Sequence, residues 1–136
     1  MKPVTEKELK RFVSLTKGAS YNVDLKDEYK RLGKKILKEI AEKMGLLPSE
    51  YDIRWNPGGI ACSGDHTLHT DYVYLALHDN SGAGWFYYRT CKGRNDYSGG
   101  PNQIVNWNAF IVYGLDELAR ILYNVHNKGV LSLTPA

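Results

Sequence analysis

The chain has 136 residues, 43% of them apolar and 24% charged, with 13 Gly and 5 Pro, the make-up of one ordinary globular domain. At this length roughly two-thirds of the unfolded surface is buried on folding, so no disulfide or metal staple is needed, and disordered, collagen-like and low-complexity classes are excluded. No apolar run approaches the roughly 18 residues of a membrane span. Residues 1–8 contain no apolar core, so the expectation is a soluble, cytoplasmic protein with no membrane partner.

The net charge of +3 conceals an asymmetry. Residues 1–49 carry 12 Lys/Arg against 7 Asp/Glu, whereas residues 50–136 carry 6 against 8. Of the 16 aromatic side chains only Phe12, Tyr21 and Tyr29 precede residue 50. The basic part and the aromatic part are therefore different parts of the chain.

The first helix is announced by Thr5 and Glu8 at capping-box spacing, with Val4 and Leu9 as a hydrophobic staple. Leu9, Phe12, Val13 and Thr16 form its stripe, and Gly18 is its stop. Asp24 is the expected cap of a second helix striped by Tyr29, Leu32, Ile36, Leu37, Ile40 and Met44 and ended by Gly45 and Pro48. Gly33, inside it, costs about 1 kcal/mol against Ala unless it admits a close neighbour.

From Tyr51 the period becomes two. Tyr51, Ile53 and Trp55 share one strand face, with Asp52 and Arg54 on the other, and residues 56–59 turn the chain. Residues 60–62 suggest a short strand. Residues 67–78 read as one long strand, with Val73, Leu75 and Leu77 opposite Tyr72, Tyr74, Ala76 and His78. Residues 79–84 are a hairpin loop, and residues 85–91 a return strand aromatic on both faces. A polar loop spans 92–102, a strand 104–107, and 108–113 is ambiguous. A last helix from about Leu115 to His126 is striped by Leu118, Leu122 and Val125 and stopped by Gly129. Residues 130–133 read as an edge strand. The expected fold is α+β in a single domain over 1–136: two helices, an antiparallel sheet of four to five strands, and a C-terminal helix, the helices mainly on one sheet face.

Two cysteines, Cys62 and Cys91, are too few for a disulfide framework, and the expectation is two reduced thiols rather than a bridge. The densest polar cluster is residues 62–71. His66, His69 and Asp71 are the candidate catalytic residues, as base, orienting acid or ligands. His66 and His69 point to opposite faces of a strand, whereas His69 and Asp71 share one, about 7 Å apart. HExxH and CxxC patterns are absent, so neither metal nor cofactor is expected. Cys62 as a nucleophile lacks any neighbour that would lower its pKa.

The 92–102 loop is longer than a hairpin requires. Gly99 and Gly100 allow backbone amides to approach an anion, with Arg89, Lys92 and Arg94 as charge, but no Walker or GxGxxG pattern is present. The alternative is a surface loop tied down by Asp96 and Tyr97. The Lys-rich second helix carries pairs four apart, Asp27–Arg31, Lys35–Glu39, Lys38–Glu42 and Glu39–Lys43, which read as a solvated face and not a phosphate track.

A one-sided sheet must either cover its second aromatic set, with residues 104–113 as the layer, or present it to a partner. The leading expectation is a non-enzymatic binding protein, whose partner is another protein or a second copy. Its binding residues are Tyr72, Tyr74, Tyr87, Arg89, Lys92, Arg94, Asp96 and Tyr97. The alternative is a small hydrolytic enzyme with His66, His69 and Asp71 at its site and Arg94 holding a substrate anion. Nucleic acid is disfavoured, because stacking rings and most cations lie apart.

Overall fold

The computed structural model describes residues 3–16, 22–57, 64–78, 84–95 and 101–128. Helix α1 (Glu6–Leu15) starts on the expected capping box: the Thr5 hydroxyl accepts from the Glu8 amide at 3.1 Å, and Glu8 accepts from the Thr5 amide at 3.0 Å. Glu8 also takes the Lys35 ammonium at 2.9 Å, which ties α1 to helix α2 (Val23–Lys43) and holds the Glu8 carboxyl below its ordinary value. The cap of α2 is Asn22, whose side chain accepts from the Leu25 amide, and not Asp24. The helix starts earlier than expected, leaving Asp24 in its first turn, where a negative charge suits the helix dipole.

Part of the charge on α2 is solvated as expected, with Asp27, Arg31, Lys38 and Glu42 exposed, and part fastens the helix to its neighbours. Lys35 reaches Glu8 on α1, Lys43 pairs with Asp116, and Glu39 is buried and accepts the Val4 amide at 2.7 Å. Spacing of four marks residues that share a helix face: the face of Lys35, Glu39 and Lys43 meets other elements, whereas that of Asp27 and Arg31 meets solvent.

A single 3-10 turn (Pro48–Glu50) leads into the sheet. Its strands are β1 (Asp52–Asn56), β2 (Asp65–His69), β3 (Val73–His78), β4 (Trp85–Thr90) and β5 (Gln103–Asn106), antiparallel throughout, in the order β1-β2-β3-β4-β5. The long strand expected over 67–78 is two strands. Thr70 turns the chain: its amide and hydroxyl donate to the Val73 carbonyl, and its hydroxyl accepts the Val73 amide at 2.9 Å. The tight turn also changes which positions face the core, from His66 and Leu68 to Val73, Leu75 and Leu77.

Helix α3 (Trp107–Lys128) is interrupted at Gly114, whose φ of 76° is open to glycine at little cost. The ambiguous stretch 108–113 is thus the helical segment before the break. It does not form a second layer. Trp107 lies 4.6 Å from Phe86 and 5.8 Å from Phe12, and Phe110 lies 5.1 Å from Phe86, between ring centroids. All three helices therefore pack on one face, over Ile53, Trp55, His66, Leu68, Val73, Leu75, Leu77, Phe86 and Tyr88. The expected strand at 60–62, the glycine stops at 18 and 129, and the edge strand at 130–133 lie outside the described residues.

Candidate functional site

The sheet face turned away from the helices follows from strand alternation and register. One cross-strand row runs Arg54, Thr67, Ala76, Tyr87, Ile104, and the next runs Asp52, His69, Tyr74, Arg89. The rings form a chain across three strands. His69 and Tyr74 stand 5.1 Å apart edge to face, Tyr74 and Tyr87 6.1 Å, and Tyr87 and Trp85 6.5 Å. The Arg89 guanidinium lies over the Tyr74 ring at 4.8 Å, a cation–π contact. Its Nε is buried without a hydrogen-bond partner among the described residues.

His69 is buried and fully engaged. Its Nδ1 is 3.1 Å from the Arg94 carbonyl oxygen, which only accepts, so Nδ1 carries the proton. Nε2 then offers its lone pair to the Thr67 hydroxyl at 2.8 Å. Burial, reinforced by the Arg54 charge, pushes the His69 pKa below the ordinary histidine value, against the opposing pull of the Arg94 carbonyl and Asp52. The ring is neutral at pH 7.

Asp71 does not orient His69. The turn at residues 70–73 carries it out to solvent, where it meets Arg94 Nε at 3.3 Å. The Arg94 side chain also donates to the Ser49 carbonyl and lies 3.7 Å from Asp52, so its guanidinium serves the protein itself. Tyr72, at the tip of the same turn, is exposed, as is Lys92. Tyr74, Tyr87 and Arg89 share the helix-free face, as alternation predicts, whereas Asp96, Tyr97 and Cys62 lie outside the described residues. Cys91 is a buried thiol that donates to the Thr70 carbonyl.

His66 belongs to the core. Its ring packs 4.6 Å from Trp55, 4.9 Å from Tyr29 and 5.7 Å from Phe12. Its Nε2–H donates to the Lys30 carbonyl at 3.1 Å, and burial lowers its pKa to about 4. The two histidines thus lie on opposite sheet faces and cannot share an ion. Among the described residues no three His, Cys, Asp or Glu side chains are placed to hold a metal.

Two contributors escaped sequence reasoning. Arg54 stands opposite Thr67 in register and donates to the Asn95 side chain at 2.7 Å. Thr67 is two residues from His69, and period-two spacing is the signal that places both on one face. Together with Asn56, Asp65 and Tyr74 they line a cleft of about 260 Å³. No described helix is long and apolar enough to cross a membrane. Comparison with protein-family models, curated proteins and solved structures finds no match for this chain.

Proposed function

We propose that the chain is a binding protein whose helix-free sheet face receives an extended, acidic segment of a partner protein. The observation that carries this reading is Arg89, a half-buried guanidinium stacked on Tyr74 whose Nε has no partner among the described residues. Arg89 as a whole is only half-buried, so part of the side chain is open to a carboxylate laid along the face, which would pair with the guanidinium through a charge-assisted bond. Tyr87 and Trp85 are half-buried and Ile104 is exposed, which supplies apolar area around the charge. Tyr and Arg side chains in this setting are the usual anchors of protein interfaces. Nucleic acid fits less well, because the Lys-rich helix α2, with most of the cations, packs on the opposite face.

The test is selection from a phage-displayed library of random twelve-residue peptides, run beside a dT20 oligonucleotide and light scattering of the protein alone. Acidic peptides should be enriched, and Arg89→Gln or Tyr87→Ala should weaken the selected peptide by about 2 kcal/mol, roughly thirtyfold. Enrichment without acidic bias, tighter binding of dT20, or a dimer whose interface Tyr87→Ala abolishes would each overturn the assignment.

A further inference from the structure

We propose that Thr67 is a nucleophile and His69 its general base, in a hydrolytic site for small carboxylic esters on the helix-free face. This goes beyond the binding reading and does not rest on it. The two side chains meet the geometric requirement for an activated hydroxyl: Thr67 Oγ1 lies 2.8 Å from the unprotonated Nε2 of His69. The opposite nitrogen is fixed by the Arg94 carbonyl at 3.1 Å, which sets the tautomer as an orienting acid does in a hydrolase triad. That carbonyl is held in place in turn, because the Arg94 side chain is tied to Ser49, Asp71 and Asp52.

A nucleophile also needs room and an electrophilic partner. Thr67 is only half-buried and lines the cleft together with His69, so its side chain borders open space. On β1 the register neighbour is Arg54, whose positive charge lines the same cleft and would stabilise the negative oxygen that develops on attack. The cleft, about 260 Å³, lies below the roughly 300–1,000 Å³ of sites for drug-sized ligands and suits a short acyl chain.

The chemistry closes without any co-reactant but water. Thr67 Oγ bonds to the acyl carbon while its proton passes to His69 Nε2. The tetrahedral intermediate then expels the alcohol oxygen, which takes that proton. Water attacks the acyl-threonine, with His69 again receiving a proton and returning it to Thr67 Oγ as the acid leaves. Asp52 and Arg54 from β1, Tyr74 from β3, and Asp71 and Arg94 from the flanking loops are the charged and titratable groups around the ring.

The experiment combines p-nitrophenyl acetate turnover with peptide mapping after treatment with a fluorophosphonate. A covalent adduct on Thr67 is expected, retained in Thr67→Ser. Thr67→Val keeps the shape of the side chain and should lower turnover at least a hundredfold. Turnover should rise with pH to a plateau, with its midpoint below the ordinary histidine value, because His69 must be neutral. Absence of an adduct on Thr67, or wild-type turnover in folded Thr67→Val, overturns the assignment. If the valine variant does not fold, the mapping of the wild-type adduct decides. Peptide selection on Arg89 and Tyr87 is read separately, so failure of one proposal is distinguishable from failure of the other.

Discussion

Gly33 is where α2 and β2 come closest, and replacing it with Ala tests the packing of the whole core. On an open helix the change would stabilise by about 1 kcal/mol. Here a Cβ would stand 2.3 Å from both Cε1 and Nε2 of His66, and 2.5 Å from Cδ2. Ordinary contact begins at 3.4 Å, so the ring has to retreat by about 1 Å. Trp55, Tyr29 and Phe12 surround it, and retreat stretches the 3.1 Å bond from Nε2 to the Lys30 carbonyl. Overpacking costs about 1–3 kcal/mol and a lost buried hydrogen bond about 1–3 more. Set against the helix gain, Gly33→Ala should destabilise by about 1–5 kcal/mol, with a central value of about 3. In a His66→Ala background the obstacle is gone, and the same change should be neutral or stabilising by up to about 1 kcal/mol. Urea unfolding followed by tryptophan fluorescence measures all four corners of this cycle, and the coupling should be about 3 kcal/mol. Equal effects of Gly33→Ala in both backgrounds, or a stabilised single variant, would refute the packing argument.

His66 should also make stability depend on pH. Its folded-state pKa is about 4 against about 6.5 when unfolded, so the unfolded chain takes up the proton first. Its contribution is complete above pH 6.5, is lost progressively as pH falls towards 4, and amounts to about 3 kcal/mol. His66→Leu should flatten that interval in urea titrations at pH 7.5 and 4.5; an unchanged slope would exclude the histidine as its source. Arg94→Ala should cost about 1–2 kcal/mol, because its guanidinium bridges Ser49, Asp71 and Asp52. Arg94→Lys should recover little, since an ammonium cannot span three partners; a variant as stable as wild type in thermal melts would refute this. Glu39→Gln should be mild and Glu39→Ala should cost about 1–3 kcal/mol, because only the first leaves an acceptor for the Val4 amide. Amide exchange at Val4 should be fast in the alanine variant and slow in the other.

Much of this fold is legible in the sequence because apolar period follows local geometry. The six-residue stripe of α2 from Tyr29 to Met44 is buried throughout, and the alternation around Leu75 and Tyr87 correctly divides the sheet's two faces. What escaped is the parity change between Leu68 and Val73. A turn as short as that at Thr70 leaves no polar stretch to mark it, so two strands read as one. Gly33 was legible as an anomaly but not as a contact, because its partner His66 is far away in sequence and only the docking of helix on sheet brings them together.

The same distinction explains the site. Spacing alone places Thr67 with His69 and separates His69 from His66, because both facts are consequences of a single strand's pleat. It cannot supply Arg94, whose carbonyl decides which nitrogen of His69 carries the proton, since that contact is made by a loop folding back across the sheet edge. Nor can it tell that the Arg94 side chain is committed to Ser49, Asp71 and Asp52 while Arg89 stacks on Tyr74 with a buried Nε lacking a hydrogen-bond partner among the described residues. Two arginines close together in sequence thus sit in opposite settings, one tied to three neighbours of the fold and one stacked on a ring. Which is which depends on the carboxylates and carbonyls the topology brings beside each. Arg89 lies on an interior strand with tyrosines for neighbours, and it is on that position that the proposed binding role rests.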